Sequence, residues 1–188
     1  MLVALPFYAG LAVTATPFVA AVLGDHWLGA VPVVRLLALA MPFMTLQVLF
    51  PTATTALGQP RVQVWAAVAG AAIFPLAYLI GVQRGGTGLA LAWIAGAPLL
   101  LAITGWMAVP VIGTSVGRLW RAVEPSLLAA LGMAAVVVWV DRFAGGLPQA
   151  ARLGTDVASG VAAYAGLILV VGRQLVREAL ALVRARRG

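Results

Sequence analysis

The chain has 188 residues, of which 63% are AVILMFWYC and only 9% are charged, with a mean hydropathy of +1.07. A soluble domain carries about 25% charged residues and far less apolar surface, so neither a water-soluble globule nor a disordered chain fits. The 12 basic residues are all Arg, against 5 acidic ones, giving +7 and a pI near 11.5. They are scattered between apolar runs and form no single basic face, so no nucleic-acid partner is expected. Their distribution suits membrane loops, where Arg collects on the cytoplasmic side.

Apolar runs of about 17–25 residues cross a hydrocarbon core, and six are readable here. The expectation is an all-α, polytopic membrane bundle spanning 1–172, followed by a basic tail. The first span is 2–23. Met1 runs straight into it and the first basic residue is Arg35, so it lacks the positive start of a signal peptide. Further chain before Met1 is expected, with a self-contained six-span protein oriented by its basic tail as the alternative. The connector Gly24–Gly29 contains Asp25 and His26, the lone histidine.

The second span, 31–57, is the most polar, with Arg35, Thr45, Gln47, Thr52, Thr54 and Thr55. Arg35 lies about 6 Å into it at 1.5 Å per residue. It either snorkels to the interface or faces a wet cavity that receives anionic headgroups. Gln47, near mid-span, either bonds across a helix interface or lines a cavity. The turn Gly58-Gln59-Pro60-Arg61 leads to the third span, 62–82. Gln83–Gly88 then reads as a turn, since Arg84-Gly85-Gly86-Thr87-Gly88 lacks the Lys and preceding strand of a phosphate-binding loop. The fourth span is 89–112. Gly113–Ala122, with Arg118, Trp120 and Arg121, reads as an interfacial stretch. The fifth span is 123–140, Asp141–Gly154 is loop-like, and the sixth span is 155–172. The tail, 173–188, sets apolar residues among five Arg, the pattern of an amphipathic helix on an anionic membrane surface.

Eight Arg, including Arg61 and the tail, fall on one side of this topology and four on the other. The first side is expected to be cytoplasmic, with both termini there. Pro17, Pro42, Pro51, Pro75 and Pro98 fall inside spans and are expected to strain the helix near Val13, Ala38, Gln47, Ala71 and Ile94. Small residues such as Ala66 and Gly70 are expected to permit close helix packing. No acidic residue sits near a span centre; Asp25, Asp141 and Asp156 are placed at the outer face, Glu124 and Glu178 at the inner. Cysteine is absent. Nothing has the spacing of a zinc site or a nucleophile elbow, so no catalytic residue, cofactor or metal is expected.

The order of several pieces resembles the Wzx-like polysaccharide flippases of the multidrug/oligosaccharidyl-lipid/polysaccharide (MOP) exporter superfamily. These pieces are Pro17-Phe18-Val19, Leu23-Gly24-Asp25-His26-Trp27 and Ala30-Val31-Pro32-Val33-Val34-Arg35-Leu36-Leu37-Ala38. Thr55-Ala56-Leu57-Gly58-Gln59-Pro60-Arg61, Phe74–Gly81 and Gly86–Trp93 follow in the same order. The resemblance covers roughly residues 10–130 and implies the last four spans of a second lobe plus two further C-terminal spans. It implies flipping of undecaprenyl-pyrophosphate-linked oligosaccharide across a bacterial cytoplasmic membrane, with lipids and a missing N-terminal lobe or partner subunit as partners. Arg35 and Arg61 are then candidates for headgroup attraction, and Gln47 and the neighbouring threonines for sugar hydroxyls. A drug or cation antiporter of the same superfamily (MATE-type), an intramembrane enzyme and a non-catalytic membrane scaffold are the competing classes. The lack of a mid-span carboxylate weighs against the antiporter.

Overall fold

The computed structural model describes residues 1–144, 146 and 148–171; the basic tail expected at 173–188 lies outside the described residues. Among these, seven α-helices account for nearly all the chain: α1 Ala4–Val13, α2 Ala15–Val22, α3 Val31–Ala56, α4 Arg61–Gly81, α5 Gly85–Ile112, α6 Val116–Phe143 and α7 Gln149–Val171. Short 3-10 segments, Asp25–Ala30 and Val82–Arg84, lead into α3 and α5.

The first apolar run is not one rod. The chain turns by 79° between α1 and α2. Pro17 has no N–H for the carbonyl of Val13, which opens the helix there. Thr14 closes α1, its backbone N–H donating to Gly10 O at 2.8 Å and its hydroxyl to the same carbonyl at 2.9 Å. The expected strain at the other prolines produces no comparable break: Pro42 and Pro51 lie within α3, Pro75 within α4 and Pro98 within α5.

Helices end where backbone chemistry allows it. Gly58 has φ +74°, its N–H donates to Thr55 O at 3.0 Å, and Gln59 N–H donates to Thr54 O at 2.8 Å. This is a Schellman ending, which needs a left-handed residue and so favours Gly. Gly113, φ +70°, closes α5 in the same way. The stretch 113–122 is mostly helix rather than connector, because Ser115 caps α6 and accepts from Arg118 N–H. Likewise α5 begins at Gly85, inside the segment read as a turn.

The helices form two groups. α3, α4 and α5 pack together, with α4 and α5 antiparallel; α6 and α7 form a second hairpin. α1 touches both groups, through α3 and α6, while α2 rests on α7. The core is made chiefly of small residues, including Ala15, Ala40, Ala97, Ala108 and Ala129, which let helix axes approach closely. The tightest approach is between Gly81 and Gly88, where a Cβ on either would run into the other's backbone. Ala66 is buried as expected, but Gly70 faces Leu100 with ordinary clearance.

Among the described residues the interior is mostly apolar but also holds several polar side chains, and the exterior carries many large apolar ones. Four of the six largest fully buried side chains are polar: Thr54, Thr104, Asp156 and Ser126. Outside, Trp106 is 81% exposed, and Ile80, Phe143 and Leu79 also face outward. Segments long and apolar enough to cross a bilayer are 25–56, 61–112, 116–143 and 149–170, and the bent α1–α2 pair makes a fifth. The 52-residue segment 61–112 is folded back on itself. Its arms, 21 and 28 residues, are each about 30 Å or more long. A helical bundle with an apolar exterior is compatible with a membrane environment.

Candidate functional site

Arg35 lies on the second turn of α3 and is exposed, yet it is not free. Its Nε donates to Ala12 O at 3.1 Å, across to the end of α1. The break at Thr14 removes the helical partner that this carbonyl would otherwise have. A cation at a helix C-terminus also meets the negative end of the helix dipole. Arg35 thus ties α3 to the bent helix. Arg35→Ala is expected to lower stability by about 1 kcal/mol, an ordinary hydrogen-bond loss at a partly exposed site; thermal unfolding in detergent measures it.

Gln47 does both things left open by the sequence. It is buried on α3, and its Nε2 donates to Thr104 Oγ1 of α5 at 2.9 Å. Its Oε1 has no partner among the described residues. It also lines a shallow, open groove of about 310 Å³ between α3 and α4, whose other polar walls are Thr52 and Gln63. The threonine hydroxyls of α3 are largely spent on their own helix: Thr45 donates to Met41 O at 2.9 Å, Thr52 to Val48 O at 2.8 Å and Thr54 to Phe50 O at 3.1 Å. They retain lone pairs but offer no free O–H to a ligand.

The Gln47–Thr104 pair predicts a non-additive cycle. Thr104→Val strands a buried amide N–H and is expected to cost about 1–3 kcal/mol. Adding Gln47→Leu removes the stranded group and is expected to recover much of that loss, read as a partial return of the melting temperature.

Arg61 is the first residue of α4, exposed and without a side-chain partner among the described residues. α3 runs 26 residues, about 39 Å, so Arg35 and Arg61 stand near opposite ends of it. Gln47 and its groove lie between them. The three candidates are therefore strung along α3 and its following turn rather than gathered at one centre. His26 is exposed in the 3-10 segment, and no group of three or more metal-ligating side chains occurs among the described residues.

The expectation for Asp156 is overturned. It was placed at the outer face beside a loop, but α7 begins at Gln149, so Asp156 stands two turns inside the helix and is 1% exposed. Neither carboxylate oxygen has a hydrogen-bond partner among the described residues. Opposite it, near the end of α6, Asp141 accepts from Arg152 Nε at 2.5 Å and from Arg152 Nη2 at 2.7 Å. Arg152 was read as a loop residue and is instead on the first turn of α7. The sequence did hold a signal: Arg152 and Asp156 are four apart, hence on one helix face once the segment is helical. Gly145, Gly146, Pro148 and Gly154 obscured it by suggesting a longer loop. At the far end of the same hairpin pair, Tyr164 donates its O–H to Leu2 O at 2.6 Å and ties α7 to the start of the chain.

Comparison with known proteins returns no match: no family model, no curated protein and no solved structure is similar to this chain.

Proposed function

We propose that this chain is the C-terminal part of a flippase that moves a lipid-linked oligosaccharide, of the undecaprenyl pyrophosphate type, across a bacterial cytoplasmic membrane. The observation that carries the proposal is the buried Gln47–Thr104 pair beside an open groove that Gln47, Thr52 and Gln63 help to line, inside a bundle whose exterior is apolar. Polar groups are costly in hydrocarbon and mark substrate paths when they face inward. α3 also bears much of the flippase resemblance.

The reaction is movement, not bond-making. A lipid tail can stay in the bilayer while the charged pyrophosphate and the glycan need a wet, cationic route. Arg35 and Arg61, near opposite ends of α3, attract the headgroup at entry and exit; the amide oxygen of Gln47, buried and unpaired among the described residues, meets sugar hydroxyls when the groove between α3 and α4 opens. Alternating access rocks one lobe against another around a central site, so the proposal includes a second lobe, in the same protein or in a partner subunit. The helix count and the Arg distribution support six crossings with both described ends on the cytoplasmic side.

Deletion of the coding region in the native cell tests this. The expected result is loss of a surface polysaccharide with build-up of its lipid-linked precursor in the cytoplasmic membrane. Unchanged surface glycan and no precursor build-up would overturn it. The double variant Arg35→Ala/Arg61→Ala, at normal protein abundance, is expected to reduce export about tenfold, the effect of about 1.4 kcal/mol on the rate-limiting headgroup step. One observation favours the MATE-type antiporter reading instead, the buried carboxylate of Asp156. Under that reading the same deletion raises drug susceptibility and leaves the glycan intact.

A further inference from the structure

Asp156 is the one buried carboxylate among the described residues, and it is unpartnered. A carboxylate in that state has lost its water and gained no donor in exchange. Among the described residues, few charged groups face it. From α6 comes Asp141; from α7 itself comes Arg152, four residues earlier and already engaged by Asp141 through two hydrogen bonds. α2 and α1, the other helices against α7, contribute no charged side chain. The cluster therefore holds two carboxylates and one guanidinium, a net charge of −1 when both acids are ionised.

One added proton changes both deficits together. It makes the cluster neutral, and it supplies the O–H that neither Asp156 oxygen otherwise meets. Arg152, one helical turn before Asp156 on α7, binds Asp141 through two hydrogen bonds and so holds the second carboxyl at the same end of the hairpin. We propose that the α6–α7 hairpin carries a single-proton binding site, with the proton held by Asp156 and shared with Asp141, and with Arg152 clamping Asp141 in place.

A metal cation fits less well. Two carboxylates are too few oxygens for a closed cation shell, and the guanidinium beside Asp141 repels a second positive charge. Proton release leaves a bare charge on a buried side chain, which is relieved by water entering or by α7 separating from the helices packed on it. The hairpin is therefore an element whose packing answers to proton occupancy, whichever substrate the protein moves.

Infrared difference spectroscopy of the purified full chain in lipid nanodiscs reads the proton directly, through the C=O stretch of a protonated carboxyl. The wild type is expected to show one such band at mildly acid pH that disappears as pH rises. Asp156→Asn, which mimics the protonated shape, should keep its helical circular dichroism and lose the band. Asp141→Asn should keep the band at a displaced frequency, since the hydrogen-bond acceptor has changed. No band in the wild type, or an unaltered band in Asp156→Asn, overturns the proposal. So does removal of the band by sodium at fixed pH, which would make the site a metal-cation site. If Asp156→Asn does not fold, Asp156→Glu gives the reading instead: its band must move, and an unmoved band places the proton elsewhere.

Discussion

Gly88→Ala is expected to be the most damaging single-methyl change in the described part of the protein. A Cβ at Gly88 points into the carbonyl of Gly81, and the Cβ of Arg84 closes the space on another side. A flexible side chain can swing aside, whereas the backbone of Gly81 has to move away. Overpacking costs about 1–3 kcal/mol when side chains can adjust, and here the loss should lie near the upper end, about 3 kcal/mol. The α4–α5 hairpin is where the helices would part, so Phe74 and Trp93, whose rings now sit 4.7 Å apart, should lose their contact. Thermal unfolding in detergent, followed by Trp fluorescence, measures both effects. Gly70→Ala is the control. Its Cβ would meet only Leu100, at an ordinary 3.6 Å, so its change should stay within about 0.5 kcal/mol.

Arg152→Ala should have the second largest effect, and one that depends on pH. Removing the guanidinium leaves Asp141 and Asp156 facing one another with no compensating charge. Breaking a fully buried pair costs about 3–5 kcal/mol. This pair is partly open to solvent, with side chains 24% and 30% exposed, so about 2 kcal/mol at neutral pH is the expected loss. The direction with pH follows from proton linkage. Protonating either carboxylate removes the repulsion that loss of the guanidinium leaves uncompensated, so the variant regains stability as pH falls. The melting-temperature deficit relative to wild type should therefore shrink at mildly acid pH and widen at alkaline pH. A deficit that is flat with pH would mean that Arg152 acts by packing alone. Arg152→Lys should recover only part of the loss, because an ammonium cannot make the two parallel contacts of a guanidinium.

The sequence was most legible where one local property decided the outcome. Apolar runs of membrane length became helices, because burying the backbone in hydrocarbon or in a tight bundle leaves its N–H and C=O groups only helical partners. Gly58 and Gly113 marked helix ends because the ending needs a left-handed residue. Arg118, Trp120 and Arg121 were harder. Their polarity looked like a connector, but Ser115 supplies a cap that starts the helix before them. Polar residues at a span end say little about whether the backbone there is helical.

The candidate site was legible only in part. Gln47 stood out as a polar residue in an apolar run, but its partner, Thr104, lies 57 residues away and is chosen by how α3 packs on α5. Arg35 showed two readings in sequence, and the structure adds a third contact, the Ala12 carbonyl, which exists only because α1 breaks nearby. Asp156 was misplaced because sequence position gives distance from a loop, whereas burial depends on what packs over the residue.

Composition and span length by themselves determined an all-helical, apolar-faced chain with its turns at Gly-rich connectors, since those depend on the solvent preference and backbone freedom of single residues. Tertiary structure alone decided which of the span prolines breaks its helix and which carboxylate is sealed from water. Both outcomes turn on partners brought from other helices. The carbonyl of Ala12, freed at the bend near Pro17, is met by Arg35 of α3. Asp156 is buried once α7 packs on its neighbouring helices. A free carbonyl or a buried charge is tolerated or not according to what faces it, and that is fixed only when the helices have assembled.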